Sequence, residues 1–207
     1  MGNTVGSQTI LSETQKEVLL GTILGDGILE RNGNHVRLRV NHGEKQKKYV
    51  EWKYTIFSNL TKNIVKSFSH VNHWKTGKIY GYSKFDTITS EEIDKFYDIF
   101  YVKGIKQVPT NIENLLIEPL SVAVWFMDDG YKRSDCNALR ISTDSFTLKE
   151  QHLLQECLDK NFGIKTQIHK KGDYWNLYIP QSEAKKFCNL IKPYIIPEME
   201  YKICLTP

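Results

Sequence analysis

Two short stretches of the chain share one hydrophobic pattern. Residues 19–27 read LLGTILGDG, and residues 122–130 read VAVWFMDDG. Each is an apolar run that stops abruptly at Asp-Gly, and such a run predicts a buried helix. Because the second stretch begins 103 residues after the first, the pattern indicates an internal duplication.

Alternating polar and apolar residues follow each stretch. Residues 36–40 read VRLRV in the first copy, and residues 139–141 read LRI in the second. Alternation with a period of two is typical of a strand that has one buried and one polar face. Arg37 and Arg140 each lie 11 residues after the aspartate of their own copy, so we expect them to occupy equivalent places.

The rest of the pattern predicts the same element order in both copies. In the first copy we expect helices near 46–60 and 90–101 and a hairpin near 74–88 with its turn at Lys75–Lys78. In the second copy we expect helices near 147–160 and 182–192 and a hairpin near 164–179 with its turn at Lys170–Asp173. Each copy then reads helix, two strands, helix, two strands, helix. The sequence therefore predicts an α+β fold made of two αββαββα halves related by pseudo-twofold symmetry.

The repeat also divides the chain. We expect a disordered lead-in over 1–11, a first half over 12–106, a linker over 107–116 and a second half over 117–207. A single large domain or two small ones are both compatible with 207 residues.

An aspartate ends each predicted motif helix. Asp26 follows a helix expected over 13–25, Asp129 ends the second, and each is followed by a glycine, a residue that tolerates the left-handed conformation often found at helix C-termini. A carboxylate at that place is unfavourable because it adds negative charge to the negative end of the helix dipole. For a lone aspartate, a simple Asp-Gly turn would be the alternative interpretation.

Small residues on the two motif helices predict that they pack closely. Gly21 and Gly25 give the first helix a bare face, and Ser121 and Ala123 serve the second. Close packing would bring both carboxylates to one place, where a divalent cation offsets their repulsion. Ligands that are all oxygen suit magnesium, so the pattern predicts a magnesium site.

Composition narrows the classes of protein only slightly. The net charge is +4, and the basic excess lies in residues 1–115, which permits nucleic-acid binding without requiring it. The four cysteines match neither a zinc pattern nor a disulfide framework, which favours reduced thiols in an intracellular protein. We find no secretory signal and no apolar run of the ~20 residues that a membrane span needs.

These motifs resemble those of the LAGLIDADG homing endonucleases, in particular the single-chain, two-motif kind of the omega-intron endonuclease branch. The similarity runs from about residue 14 to the C-terminus and is strongest at 125–130, WFMDDG, and 190–202, LIKPYIIPEMEYK. Leu24 stands where the family has the first acidic residue of its motif, and Asp128 replaces the usual alanine. The resemblance implies that the antiparallel sheets of the two halves form a saddle on DNA.

The resemblance also implies a set of site residues. Asp26 and Asp129 would bind Mg²⁺, assisted by the main-chain carbonyls of Gly25 and Asp128; Mn²⁺ would substitute, and Ca²⁺ would bind without supporting catalysis. Lys106 and Lys202 match the basic residue that each half contributes. Both lysines also stand out in the sequence itself, because each precedes a proline near the end of its half.

The activity implied is site-specific cleavage of both strands of a long DNA target, with short 3′ overhangs and mobility of an intron or intein. The protein would act as a monomer, with intron RNA as a second partner. A two-stranded ribbon fits the major groove, so outward strand residues are the candidates for DNA binding, with Lys170 and Lys171 better placed for phosphate. The candidates are Arg31, His35, Arg37, Arg39, Asn41, Lys78, Tyr80, Tyr82, Lys84, Arg140, Ser142, Lys165, Gln167, His169, Lys170 and Lys171.

Two other functions remain open at this point. A non-cleaving domain of the same type could bind nucleic acid or assist splicing as a maturase. A generic magnesium-dependent phosphohydrolase would need glycines that cradle phosphate, and Gly21, Gly25 and Gly27 fit neither nucleotide-binding motif. The tryptophans are expected in the core rather than as stacking platforms; they are Trp52, Trp74, Trp125 and Trp175.

Overall fold

A computed structural model describes residues 10–71 and 79–204. Within these ranges the chain forms two compact units, one containing residues 10–16 and 26–99 and the other 17–25 and 100–204. The units differ from the halves predicted from the repeat, because residues 17–25 and 100–106 cluster with the second unit. Leu11, in the predicted lead-in, is buried, and the rest of that lead-in up to residue 9 lies outside the described residues.

The predicted element order is confirmed in both repeats. In the first repeat the elements are α1 Glu13–Leu24, β1 Ile28–Asn32, β2 His35–Gly43, α2 Lys47–Ile56, β3 Lys66–Val71, β4 Ile79–Asp86 and α3 Glu91–Phe100. Three short elements follow: β5 Tyr101–Val102, β6 Ile105–Lys106 and α4 Ile112–Leu115, the last of them inside the predicted linker. The second repeat consists of α5 Pro119–Asp129, β7 Gly130–Lys132, β8 Leu139–Ile141, α6 Leu148–Phe162, β9 Gln167–Lys171, β10 Tyr174–Ile179 and α7 Gln181–Ile191.

Each repeat carries one antiparallel four-stranded sheet. The strand orders are β1-β2-β4-β3 and β7-β8-β10-β9, so the two sheets have the same topology. One face of each sheet is buried, by α2 on β2 and β4 in the first unit and by α6 on β9 and β10 in the second. As the alternation predicts, Val36, Leu38 and Val40 are buried, and so are Leu139 and Ile141.

Local sequence signals explain where α6 begins and ends. Thr147 and Glu150 form a capping box, in which each side chain bonds the backbone N–H of the other residue. The helix ends at Gly163, whose φ of 64° is the left-handed conformation that glycine adopts without strain. The predicted turn at Lys170–Asp173 is confirmed, with Gly172 at φ 61°. The turn predicted at Lys75–Lys78 lies outside the described residues.

Strand register corrects the predicted equivalence of Arg37 and Arg140. In the second repeat, Tyr131 lies two residues after Asp129 and pairs with Arg140. In the first repeat, Ile28 lies two residues after Asp26 and pairs with Arg39. The stretch from the motif aspartate to the matching arginine is two residues longer in the first repeat, 13 positions from Asp26 to Arg39 against 11 from Asp129 to Arg140. Counting from the aspartate therefore selects Arg37, while the register shows that Arg39 is the counterpart of Arg140.

The strand register places Arg31 on the face opposite to the predicted one, although its side chain is exposed. Arg31 pairs with Val36, and residues paired across antiparallel strands lie on the same face of the sheet. Val36 is buried, and the Arg31 guanidinium lies 4.6 Å from the centre of the Tyr97 ring on α3. Arg31 therefore lies on the face opposite to Arg37 and Arg39.

The predicted reason for a glycine after Asp129 is also wrong. Gly130 has φ −79° and ψ 149°, an extended conformation that any residue adopts. A Cβ added there would overlap the Phe126 ring. The lack of space for a Cβ, and not a left-handed backbone, requires glycine at this position.

No helix within residues 10–71 and 79–204 is long and apolar enough to cross a membrane.

Candidate functional site

The ends of the two motif helices are in direct contact within the second unit. A Cβ added to Gly21 would overlap the carbonyl oxygen of Ser121 and lie 2.7 Å from Val124 Cβ. One added to Gly25 would lie 2.6 Å from Asp128 Oδ2. Ser121 Oγ donates to the Glu17 carbonyl at 2.9 Å. These contacts confirm that small residues allow α1 and α5 to pack backbone against backbone.

Lys106 closes the end of α1. Its Nζ donates hydrogen bonds to the carbonyl oxygens of Ile23, at 3.0 Å, and Gly25, at 2.7 Å. The hairpin that delivers it turns through Lys103 at φ 51° and Gly104 at φ 79°, so two residues suffice to reverse the chain. An ammonium at this place stabilises the helix end, because it satisfies carbonyls that have no partner in the helix and opposes the helix dipole.

Lys202 closes the end of α5 in the same way. It is the last residue of a 3₁₀ helix over Pro197–Lys202 and is 7% exposed. Its Nζ donates to the carbonyl oxygens of Met127, at 2.6 Å, and Asp128, at 3.1 Å. The two lysines predicted from the repeat therefore have the same local environment, each beside the helix end that precedes a motif aspartate.

Two adjacent carboxylates stand at the end of α5. Asp128 is 7% exposed, and its side chain packs on Gly25. Asp129 is half-buried, and its carbonyl accepts a hydrogen bond from Ser142 N at 3.0 Å. This bond continues the β7–β8 pairing, so Asp129 is fixed between the helix and the sheet.

Asp26 follows the end of α1 and is the residue at which the chain returns to the first unit. Its side chain is 48% exposed, whereas that of His42 is only 1% exposed, and Oδ2 lies 3.4 Å from His42 Nδ1. Sequence reasoning did not single out His42, although a signal is present. On β2 it takes the inward position that follows Val36, Leu38 and Val40 in the alternation, where a polar residue needs a reason.

The donors at the two aspartates suit a hard divalent cation. They are carboxylates and the main-chain carbonyls of Gly25 and Asp128, although both carbonyls also accept hydrogen bonds from lysine. Among the described residues no group of three or more His, Cys, Asp or Glu side chains could hold a metal. Mg²⁺ usually binds through one or two carboxylates plus substrate phosphates rather than in a complete protein cage, so the residues present fit this ion.

The polar face of the first sheet carries a cross-strand charge cluster. Glu30 Oε2 accepts from Arg37 Nη2 at 2.7 Å and lies 3.0 Å from Arg39 Nη2. Asp86 Oδ1 accepts from Arg39 Nε at 3.0 Å. Both arginines point away from the buried face as predicted. The carboxylates hold the two guanidinium groups in place and neutralise part of their charge.

Aromatic and basic residues continue this face toward the sheet edge. The Phe68 and Tyr82 rings stack with centroids 5.2 Å apart, and Lys84 Nζ lies 5.0 Å from the Phe68 ring centre. Tyr80 is exposed, and so is Asn41, which pairs with Lys84. A cleft of about 370 Å³ opens here, and its charged lining residues are Arg37, Lys62, Lys66, Lys84 and Asp86.

His35 is held at the end of its strand by α3. Its Nδ1 lies 2.6 Å from Asp94 Oδ2, and Asp94 Oδ1 accepts from Val36 N at 2.6 Å. The hydrogen bond to Asp94 raises the pKa of the His35 imidazole. A candidate for base contact is thus already engaged with a helix of its own unit.

The second sheet presents a different arrangement around Arg140. The His169 ring stacks on Tyr178 with centroids 4.3 Å apart, and the Arg140 guanidinium lies 5.8 Å from the same Tyr178 ring. Arg140 Nε is buried without a hydrogen-bond partner. Burial, followed by the charge of Arg140, lowers the pKa of His169. Gln167 and Arg140 each pair with Tyr178, so they share its face of the sheet.

The remaining candidates for DNA binding in the second repeat differ in exposure. Lys165, Lys170 and Lys171 are exposed, with Lys170 Nζ 5.6 Å from the Trp175 ring centre, and Ser142 is half-buried. Trp125 is fully buried, while Trp52 and Trp175 are half-buried. Lys78 and Trp74 lie outside the described residues. The four cysteines are free, as their spacing predicts.

Comparison with known proteins adds three findings. The sequence pattern of the LAGLIDADG DNA endonuclease family matches residues 16–187. The chain is 32% identical over 200 residues to the cytochrome b mRNA maturase bI2 of Debaryomyces hansenii, spanning 93% of this chain and 74% of that protein. It is 29% identical over 209 residues to the DNA endonuclease I-ChuI of Chlamydomonas applanata, spanning 93% of this chain and 95% of that one.

A solved structure resembles this fold over its whole length. It is the homing endonuclease I-WcaI bound to its DNA recognition sequence, with a TM-score of 0.91 and 27% sequence identity. The similarity covers all of this chain and 96% of that one. The predicted α+β architecture of duplicated αββαββα repeats is therefore confirmed by an independent structure.

Proposed function

The chain belongs to the LAGLIDADG DNA endonuclease family, and from that premise we propose that it is a site-specific endonuclease that hydrolyses one phosphodiester in each strand of a long duplex target. The observation that carries the proposal is the packing of the two motif helices. Gly25 and Asp128 are in contact, and the next residues along the chain are Asp26 and Asp129. A carboxylate after a helix C-terminus is unfavourable by itself. Lys106 and Lys202 offset part of that cost, and the proposed divalent cation would offset more of it.

Asp26 and Asp129 are the proposed metal ligands, with the carbonyls of Gly25 and Asp128 assisting. Mg²⁺ is the proposed ion, with Mn²⁺ as a substitute and Ca²⁺ as a non-catalytic one. A divalent cation supplies polarisation of a phosphoryl oxygen and activation of water. Lys106 and Lys202 keep the carbonyls in place and put one positive charge beside each helix end, where it stabilises the negative charge that develops during hydrolysis.

The polar faces of the two sheets are the proposed DNA-binding surfaces. A two-stranded ribbon can enter the major groove, where arginine reads guanine and asparagine or glutamine reads adenine. The similar I-WcaI structure is described as bound to its DNA recognition sequence, which supports duplex DNA as the partner. We propose that the protein acts as a monomer, since both repeats lie in one chain, and that its product carries short 3′ overhangs.

The proposal can be tested without knowing the target. The protein and Mg²⁺ are incubated with a randomised DNA library, and the cut molecules are sequenced to recover the site. On that site Asp26→Asn and Asp129→Asn should abolish double-strand cleavage while binding persists, because the sheets bind and the carboxylates hold the metal. Full cleavage by either variant would remove the catalytic assignment, and a library left uncut would contradict the endonuclease proposal.

A splicing role is the second candidate. It is favoured by the 32% identity to a protein named an mRNA maturase. Intron RNA would then be a partner in addition to DNA. The experiment is a splicing assay with a candidate intron RNA, in which a splicing role predicts that Asp26→Asn retains the splicing activity of the wild type even though it cannot cut.

A further inference from the structure

His42 contacts the Asp26 carboxylate from the buried side of the sheet, an arrangement that suits a carboxylate that binds a metal ion. The imidazole is almost completely buried, whereas the carboxylate it contacts is 48% exposed. An ordinary surface ion pair would have both partners in solvent. Here a fixed ring contacts one carboxylate oxygen, Oδ2, while much of the carboxylate stays accessible.

The imidazole is itself held in place by α2. The Tyr49 ring packs against it with centroids 5.2 Å apart and an angle of 51° between the planes. Tyr49 is fully buried and stacks in turn on Trp52, and Lys53 Nζ lies 4.5 Å from the Tyr49 ring centre. Few orientations are therefore open to the His42 ring, so the position of Nδ1 is set by the core of the first unit.

The second repeat has no imidazole at the equivalent position. The register that matches Arg39 with Arg140 places Thr143 where His42 stands. Thr143 is 1% exposed, and its hydroxyl donates to Gln151 Oε1 at 2.6 Å. Gln151 Nε2 donates back to the Thr143 carbonyl at 2.7 Å. The side chain at this position therefore bonds α6 and is not used to support an aspartate.

We propose that His42 is a positioning residue for the Asp26 carboxylate, and that this device, present in only one repeat, makes the two strand cleavages depend on different residues. The inference rests on the proposed endonuclease function. Groups that orient a metal-binding carboxylate typically contribute 10–100-fold to metal affinity or activity. His42→Ala should therefore slow one strand by about 10–100-fold and change the cleavage of the other strand much less.

The test measures each strand separately. The duplex site recovered from the library carries a different fluorophore on each 5′ end, and single-turnover rates are followed with saturating protein. His42→Ala should change the ratio of the two rates while the Kd for DNA, measured in Ca²⁺, stays at the wild-type value. His42→Asn places an N–H near the position of Nδ1 and should restore the wild-type ratio, whereas His42→Gln reaches the position of Nε2 and should not.

Thr143→Ala is the matched control at the equivalent buried position. It removes a hydrogen bond of the core, and it should leave the ratio of the two strand rates unchanged, with thermal unfolding followed for every variant. Equal slowing of both strands by His42→Ala, or identical behaviour of the Asn and Gln variants, would overturn the inference. A wild-type protein that cuts no duplex would instead overturn the proposed function, so the two failures are distinguishable.

Discussion

Lys202 Nζ donates a hydrogen bond to the carbonyl oxygen of Asp128 at 3.1 Å, in a site where the lysine is only 7% exposed. A buried ammonium bonded to helix-end carbonyls stabilises the fold, and its removal takes away both of those hydrogen bonds. We expect Lys202→Met to lower the free energy of unfolding by about 1–3 kcal/mol. Denaturant unfolding measures this, with exposed Lys192→Met as the control. Equal stability of the two variants would contradict a capping role.

Lys106→Met and Lys202→Met should slow strand cleavage far more than they weaken DNA binding, and by unequal amounts. Lys106 is half-buried and Lys202 is buried, so the two substitutions disturb their helix ends to different extents. A supercoiled plasmid time course should show nicked circles before linear product in each variant, because one strand is still cut at the higher rate. Kinetics like those of the wild type in both would show that neither ammonium contributes to hydrolysis.

Gly21→Ala should destabilise the protein even though alanine favours helix. Helix propensity alone would favour the substitution by about 1 kcal/mol. The added Cβ would overlap the Ser121 carbonyl oxygen, and overpacking of a well-filled contact typically costs about 1–3 kcal/mol. Gly43→Ala is the control, since no atom lies within 4 Å of a Cβ added there. A Gly21→Ala protein as stable as the wild type would show that the helices can move apart freely.

Arg39→Ala and Arg140→Ala should relax base preference in opposite half-sites. They are equivalent by register, and a bidentate contact with a base contributes about 1–3 kcal/mol of discrimination. Arg37→Ala is the informative comparison, because its counterpart by register is not Arg140. Cleavage profiles over single-base variants of the target measure the effect. A uniform loss over all targets would identify the arginine as a phosphate contact instead.

DNA binding should weaken steeply with salt. Each phosphate contact releases counterions, so six to ten contacts correspond to a loss of roughly 10³–10⁵ in affinity between 50 and 200 mM salt. Fluorescence anisotropy with a labelled duplex in Ca²⁺ measures the slope. A response that is flat with salt would favour a small-molecule substrate over a nucleic acid.

Only two of the four thiols should react in the native protein. Burial raises the pKa of Cys157 to about 12 and that of Cys188 to about 11. At pH 8 both stay protonated, and the thiol is a much poorer nucleophile than the thiolate. Cys204 is exposed and Cys136 is half-buried, so a maleimide should label these two first. Mass spectrometry of labelled peptides identifies the sites, and early labelling at Cys157 would contradict its burial.

The parts of the fold that depend on neighbouring residues follow from the sequence. Alternation identified the buried residues of β2 and β8, and Thr147 with Glu150 marks the start of α6. Small residues at 21, 25 and 121 correctly predicted a close helix contact. Each of these features depends on residues that lie close together in the sequence or that recur in the repeat, so the sequence alone reveals it.

The errors arise where strand register and three-dimensional packing decide the outcome. Arg31 is exposed but lies on the same face as Val36, because the register of β1 with β2 reverses the alternation across the turn, and alternation within one strand cannot give that register. Gly130 is required by the ring of Phe126 rather than by its own backbone. His42 shows only an unusual polar residue on a buried face, and its contact with Asp26 becomes visible once the strand is folded.

The contacts that complete α1 come from residues synthesised much later. Ser121 bonds Glu17 over 104 positions, and Lys106 bonds Ile23 over 83. At roughly 5–20 residues per second, a ribosome needs about 5–20 s to make the hundred residues in between. Throughout that interval the apolar residues of α1 have neither their partner helix nor their terminal cap, and a helix of this length is only marginally stable without such contacts. The duplicated design thus postpones completion of the first motif helix until the second repeat has been synthesised.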